Sequence, residues 1–547
     1  MTTGGMEVKR SSRVIVGALL AGCVAFPSFS KAPVGGDVLN RIADEGFNHG
    51  DVVETIEYLA DHIGGRMTNS PAMRTAERWT QERFKAWGLK NVRAEPYDFG
   101  RGWWIESSRV RMLTPRVLEL RAIPIAWTPP TQGAITAPII VAPMRTTRDF
   151  PDWKGKLAGK IVLVSWPDTL KEDVEPPFRR LDDSAVAKRD TYEVPRYDPE
   201  ESEKLVEYVL FKRRLDEFLT AEGAVASAVM SRHPVRLVHG EGYGFQAGMS
   251  PKLPSVELSS EDYRRLARLA KQGEVRLEIN SNVHYEDADH HANNVFADLP
   301  GKDSKAGYVM AGAHLDSWVA GDGAADNGVG CAIVMEASRI LSAIGVQPRR
   351  TIRFALWSGE EQGLIGSSAF IQQHLARRPA PKDPEIAALG PYFGPPSFPV
   401  EVLPGYREMV GYFNVDNGSG KFRGIYAEGN FAAMPMLKEW LSPFASLGAS
   451  AVVAEPTGST DHELMSQIGL PAFQFVQDPL DYSSNIHHTD ADTFDHLRSE
   501  DIRQAVVIMA TVLLDAANSD TALPGKPIPT QPKLTDPFHY KEPSKLP

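Results

Sequence analysis

A chain of 547 residues is too long for one hydrophobic core, so two or three domains are expected. With 42% hydrophobic and 24% charged residues it has the composition of a soluble globular protein, which excludes a disordered or fibrous chain. The formal net charge of -11, with no long basic cluster, excludes nucleic acid as a partner.

The chain opens with Lys9, Arg10 and Arg13 ahead of an apolar run from Val14 to Phe26, followed by small and polar residues. That run is too short to span a membrane comfortably, so residues 1–30 read as a secretory signal peptide. The mature protein is therefore expected outside the cytoplasm: in a periplasm, on the outer envelope as a lipoprotein, or secreted. Leu20-Ala21-Gly22-Cys23 resembles the bacterial lipobox, which leaves two alternatives: membrane attachment through a lipidated Cys23, or ordinary cleavage after Ser30. The other cysteine, Cys331, lies among Val329, Ala332, Ile333 and Val334 and reads as a small buried residue, so disulfides do not hold this fold.

Apolar spacings of three and four through Val52, Ile56, Leu59 and Ile63 predict a helix, broken at Gly64-Gly65. Ser70-Pro71 starts a second helix, and strand-like runs follow at Val110–Leu113 and Val117–Ile125. Residues 128–260 differ in texture: short β-rich runs such as Ala137–Val141 and Gly159–Val164, a charged stretch from Lys171 to Lys204, and a helix from Glu203 to Ala221. Nothing there has metal-ligand or nucleophile spacing, so the block reads as an inserted accessory domain. Beyond it come a strand at Val275–Tyr285, two strands (Asn294–Asp298 and Tyr308–Ala313) joined by the turn Pro300–Gly307, a helix at Asn327–Leu341, and a strand at Thr351–Trp357. Strands alternating with helices predict an α/β fold with a mixed sheet covered on both faces. Residues 378–406 read as a proline-rich surface insertion and residues 521–547 as a proline-rich, loosely attached tail.

Five short segments carry the chemistry. The strand from Tyr308 ends in His314-Leu315-Asp316, placing an imidazole at the sheet edge where α/β sheets hold ligands, with Asp316 close enough to orient the ring. Asp326 follows twelve residues later among glycines and alanines, where taken alone it reads as a helix N-cap. Glu360 and Glu361 directly follow the buried strand Thr351–Trp357; neighbouring side chains diverge there, so one can bind metal while the other faces a water. Asp416 ends the apolar run Met409–Val415, and His487-His488 sit in a polar loop. Each has an ordinary explanation alone. Together, two histidines and three carboxylates can hold two zinc ions, one carboxylate bridging, with a water between them.

The order His314-x-Asp316, Asp326, Glu360-Glu361, Asp416, His488-Thr489 resembles the M28 family of zinc exopeptidases, in the branch of the plasma glutamate carboxypeptidases (carboxypeptidase Q) and their bacterial aminopeptidase relatives. His314-Leu315-Asp316-Ser317-Trp318 and the run Ile63–Pro71 look like that branch, and Gly159–Val164 with Leu253–Ser259 looks like a protease-associated domain. The resemblance covers roughly residues 40–520. It implies a peptidase domain from residues 40–127 and 261–520, with a protease-associated domain inserted at 128–260. It also implies two zinc ions per chain, one on His314 and Asp416, the second on Glu361 and His488, with Asp326 bridging. His488 is preferred to His487 because the family's ligand immediately precedes the threonine. Glu360 becomes the general base, and Asp316 and Asp492 support the ligands from behind.

Two departures stand out: Asn327 occupies a position where relatives often have Asp, and the step from Glu361 to Asp416 is 55 residues. The implied activity is hydrolysis of a terminal peptide bond, most naturally removal of N-terminal amino acids from a peptide substrate. The alternatives are a carboxypeptidase or dipeptidase with the same centre, and a non-catalytic binding protein on this fold. The nearest run to a serine-hydrolase elbow, Gly418-Ser419-Gly420, lacks the Gly-x-Ser-x-Gly spacing. Nothing in the sequence decides between a monomer and an oligomer.

Overall fold

The structure is a computed structural model. It describes residues 34–168, 176–192, 199–241, 245, 250–394 and 396–530, so the signal segment, with Cys23 and Ser30, lies outside the described residues.

Two eight-stranded sheets organise the chain. The strands of the main sheet are β1 (Lys90–Asp98), β2 (His291–Leu299), β3 (Tyr308–His314), β4 (Thr351–Trp357), β5 (Met409–Asn414), β6 (Phe422–Tyr426), β7 (Ala451–Val453) and β8 (Ala472–Gln477). Their spatial order is β1-β2-β4-β3-β5-β8-β6-β7. The central four, β4, β3, β5 and β8, run parallel, while β1, β2 and β6 are paired antiparallel to a neighbour. The mixed α/β class expected from the alternating elements is what forms. One detail differs: β2 and β3, joined by the turn Pro300–Gly307, are not neighbours, because β4 lies between them. The crossover through helix α3 returns β4 parallel to β3 and takes that place.

Both faces of the sheet are covered. Helices α1 (Gly36–Asn48), α2 (Pro71–Ala86), α3 (Val329–Ala343) and α4 (Ser499–Asn518) share one core with Val309, Ala311, Ala313, Ile352, Phe354 and Leu356. Their neighbours Tyr308, Met310, Ala355 and Trp357 turn to the opposite face and pack with Phe370, Leu375, Met465 and Leu470. This period-two division buries every residue of β3, which is why its sequence is apolar throughout up to His314. Ser70 caps α2, accepting from the Met73 N–H at 3.2 Å, as Ser70-Pro71 implies. Cys331 on α3 is fully buried, and its thiol donates to the His314 carbonyl at 2.9 Å. Burial pushes that thiol up to about 12. Folded protein is therefore expected to leave Cys331 unlabelled by a maleimide at pH 8, with labelling appearing only in denaturant; peptide mapping that finds it modified in the folded state would contradict this burial.

The second sheet orders its strands Leu118–Glu119, Gly102–Thr114, Arg276–Glu286, Ile135–Val141, Ile161–Leu163, Ala226–Met230, Ser255–Leu258 and Ala122–Pro124. Its longest pair, Gly102–Thr114 with Arg276–Glu286, lies outside the block 128–260. It has its own core of Val110, Met112, Ile161, Leu163, Val256, Leu258, Leu266, Leu277 and Ile279. The helix expected from Glu203 begins at Pro199 and runs to Ala221.

Several contacts among the described residues seat this unit on the main one, three of them as follows. Arg180 bridges Asp478 at 3.1 Å and Asp501 at 2.7 Å. Val238 and Asp490 exchange two hydrogen bonds, each 3.0 Å. Leu389 and Phe393, from the proline-rich insertion, pack on Val206, Val209 and Leu210 of the helix Pro199–Ala221. Of the expected tail, residues up to 530 are described and lie against the body. Leu523 enters the main core, and the Lys526 ammonium donates to the Glu428 carbonyl at 2.9 Å and to Ser466 Oγ at 2.6 Å.

Candidate metal centre

The C-terminal ends of three parallel strands converge. His314 closes β3, Glu360 and Glu361 follow β4, and Asp416 follows β5. Asp326 arrives in the turn before α3, and His488 in the loop after β8. His314 Nε2 lies 3.3 Å from Asp326 Oδ1 and 3.3 Å from Asp416 Oδ1. On the other side, His488 Nε2 lies 3.3 Å from Asp326 Oδ2 and 3.0 Å from Glu361 Oε2. The Asp326 carboxylate thus turns one oxygen to each imidazole. Glu360 offers an oxygen to His314 and Asp416, all three ligand atoms lying within 4.8 Å of one another. His487 is 3.7 Å from Asp326 and its side chain is 42% exposed, against 13% for His488, so His488 is the better-placed of the pair.

Both imidazoles are held so that Nε2 faces the cluster. His314 Nδ1 bonds the backbone carbonyl of Asp316 at 2.9 Å, and His488 Nδ1 bonds Glu241 Oε1 at 2.6 Å; each Nδ1–H donates, leaving the Nε2 lone pair for a ligand. The Asp316 carboxylate is not what orients His314, as its sequence position suggested: it stands 3.8 Å from Nδ1. It accepts instead from Thr68 Oγ1 at 3.0 Å and from the N–H groups of Glu360 and Glu361, both at 3.3 Å, and so fixes the turn that carries them. Asp492 does the same for Asp326, accepting from the N–H of Ala325 at 2.6 Å and of Asp326 at 3.0 Å. Asp326 is not the helix cap. Asn327 serves that purpose, accepting from the Gly330 N–H at 3.0 Å while its amide donates to the Val415 carbonyl at 2.8 Å. An aspartate could not make the second bond, which gives a physical reason for the amide here.

The electrostatics are those of carboxylates crowded away from water. Burial raises Glu360 well above the usual range; His314 opposes this, and Asp416, Glu361 and Asp461 reinforce it. Burial lifts Glu361 to about 7 against the pull of His488. It lifts Asp492 to about 8 with the help of Asp326. Asp326 is lowered: burial is overcome by the bond with His314 and by the charge of His488 and His487. Asp326 Oδ2 and Glu361 Oε1 are buried and make no hydrogen bond among the described residues. Orphaned carboxylate oxygens beside two imidazole lone pairs fit a divalent cation, and nitrogen with oxygen donors suits zinc.

The structure adds residues to which the sequence assigned no role. Thr68 and Arg66 lie in the run Ile63–Pro71; Arg66, fully buried, donates to carbonyls of the loops carrying Asp316 and Asp326. Asp461 is fully buried, its carboxyl raised to about 7 by burial with His314 opposing. Tyr482 stands near Asp326, Asp416 and Glu361, and burial with these carboxylates holds its phenol protonated. Glu241 comes from the second unit, 247 residues from its partner, with no local motif to mark it.

Residues 294–513 match the model of peptidase family M28. Carboxypeptidase Q from Bos taurus is 27% identical over 480 residues, 86% of each chain. The chain is thus similar to peptidase family M28 over residues 294–513. In fold the chain is similar to a peptidase M28 precursor from Shewanella amazonensis, with a TM-score of 0.64 at 23% identity, covering 90% of this chain and 99% of that one. It is also similar to BSAP, a zinc aminopeptidase from Bacillus subtilis, with a TM-score of 0.55 at 18% identity, covering 86% and 98%. The matched M28 segment contains every ligand candidate, from His314 to His488.

Proposed function

We propose that this peptidase is an exopeptidase whose centre holds two zinc ions and that it removes the N-terminal residue of a peptide. The observation that carries the reading is the Asp326 carboxylate between two imidazoles, with Asp416 completing one side and Glu361 the other. His314, Asp416 and Asp326 would hold one ion, and Glu361, His488 and Asp326 the second. Bound zinc would polarise the scissile carbonyl and lower the pKa of the attacking water. Glu360, buried beside this set with an oxygen near His314 and Asp416, would in its carboxylate form accept a proton from that water and return it to the leaving amine. In this reading residues 40–127 and 261–520 are the peptidase domain, and 128–260 an inserted protease-associated domain. Export rests on the signal-like residues 1–30; no helix among the described residues is long and apolar enough to cross a membrane.

The likeness to BSAP, a zinc aminopeptidase, supports the choice of the N-terminal end. A carboxypeptidase or dipeptidase reading is favoured by one observation, the match to carboxypeptidase Q over 86% of both chains. Four versions of one short peptide separate them: free, N-acetylated, C-amidated, and blocked at both ends. The aminopeptidase reading expects chelator-sensitive cleavage that acetylation abolishes and amidation spares. Cleavage that amidation abolishes and acetylation spares overturns it in favour of the C-terminal end, and cleavage of dipeptides alone makes the protein a dipeptidase.

A further inference from the structure

Among the described residues, Glu241 of the second unit reaches the metal centre, at His488. The residue lies between the strands Ala226–Met230 and Ser255–Leu258, and its side chain is 1% exposed. Several contacts fix where it stands. The Glu257 carboxylate accepts from the N–H of His239 at 3.0 Å and of Gly240 at 3.3 Å, holding the turn just before it. Gly240 has φ +62°, and a Cβ there would come within 2.8 Å of the Pro124 carbonyl, so the turn requires glycine. Val238 and Asp490 exchange hydrogen bonds, which sets the register between this turn and the loop of His488. With that register Glu241 Oε1 falls 2.6 Å from His488 Nδ1, and Arg232 donates to the same oxygen at 3.1 Å.

We infer that Glu241 is a positioning residue for the metal centre: by accepting from His488 Nδ1–H it fixes the ring's tautomer and aims Nε2 at the ion shared by Glu361 and Asp326. This rests on the reading of His488 as a ligand. The second unit is then a working part of the metal centre. His314 takes the equivalent bond from a backbone carbonyl of its own chain segment, Asp316. His488 depends on a carboxylate presented by another sheet. A carboxylate behind a ligating imidazole raises its basicity, and loss of such a partner costs about 10–100-fold in metal affinity or activity.

The test compares E241A, E241Q and R121A with the unaltered protein in three measurements: zinc affinity by competition with a chromophoric chelator, kcat and KM, and thermal unfolding of the metal-free form. Arg121 pairs with Asp490 and joins the same two units, so R121A controls for docking alone. The expected result is that E241A weakens one of two zinc ions by about 10–100-fold. E241Q, which keeps an acceptor oxygen, is expected to fall between E241A and the unaltered protein, while R121A binds zinc normally. If E241A does not fold, an affinity for E241Q equal to that of the unaltered protein overturns the proposal, and a weakened one supports it. Two tightly held zinc ions in E241A, or a loss in R121A as large as in E241A, would also overturn it. If the unaltered protein binds no zinc and cleaves no peptide, the reading of His488 as a ligand falls first, and the role of Glu241 with it.

Discussion

Glu360→Gln is expected to lower kcat by about 10²–10⁴-fold while the protein keeps its full zinc content. The change is isosteric, so the packing around a residue only 9% exposed is preserved. An amide cannot take up a proton from water and hand it on, so the reaction loses its base. Zinc content gives the test its force, because Glu360 also lies within 4.8 Å of His314 and Asp416 and could be imagined as a ligand. Loss of zinc in this variant would make Glu360 a ligand and require another base. Zinc retained with kcat near normal would remove Glu360 from the chemistry altogether.

Arg66→Met is expected to destabilise the metal-free protein by about 3–5 kcal/mol, read from urea unfolding. Arg66 has no carboxylate partner in hydrogen-bond contact among the described residues; its guanidinium is spent on main-chain carbonyls. Nε donates to Leu315 at 2.9 Å and Nη2 to Gly323 at 2.7 Å. Nη1 is shared among Leu59 at 3.1 Å, Gly64 at 2.9 Å and Asp322 at 2.8 Å. Methionine fills much of the volume but leaves the Leu315, Gly64 and Asp322 carbonyls without this donor, each costing about 1–3 kcal/mol before water and relaxation recover part. The Leu59 and Gly323 carbonyls keep the N–H groups of Gly64 at 3.1 Å and Gly328 at 3.0 Å. Because those carbonyls flank Asp316 and Asp326, catalysis should fall together with stability. Arg66→Lys should rescue little, since one ammonium cannot span acceptors spread around a planar fork. A loss below about 1 kcal/mol would show that the loops hold themselves.

What the sequence made legible follows from where the constraints are local. A strand segment buried on both faces must be apolar, so Tyr308–Ala313 and Phe354–Trp357 announce themselves, and the polar residues that follow them mark the sheet edge. That is why His314, Glu360, Glu361 and Asp416 could be picked out before their distances were known. Asp326 and His488 depended on spacing and resemblance, since neither ends a strand. Supporting contacts were harder to see. Asp316 serves His314 through its carbonyl and the Glu360–Glu361 turn through its carboxylate, a division no sequence pattern records. Glu241 meets His488 only because Val238 registers against Asp490. The second sheet recruits Gly102–Thr114 and Arg276–Glu286 by pairing across more than 150 residues, so local texture marked out only its middle.

The most direct test of the account is an anomalous difference map at the zinc edge, from crystals of the protein grown with zinc. The account expects two peaks about 3.5–4 Å apart, with Asp326 between them, His314 and Asp416 on one and Glu361 and His488 on the other. A single peak, or peaks that leave Asp326 without a metal on either oxygen, would contradict it.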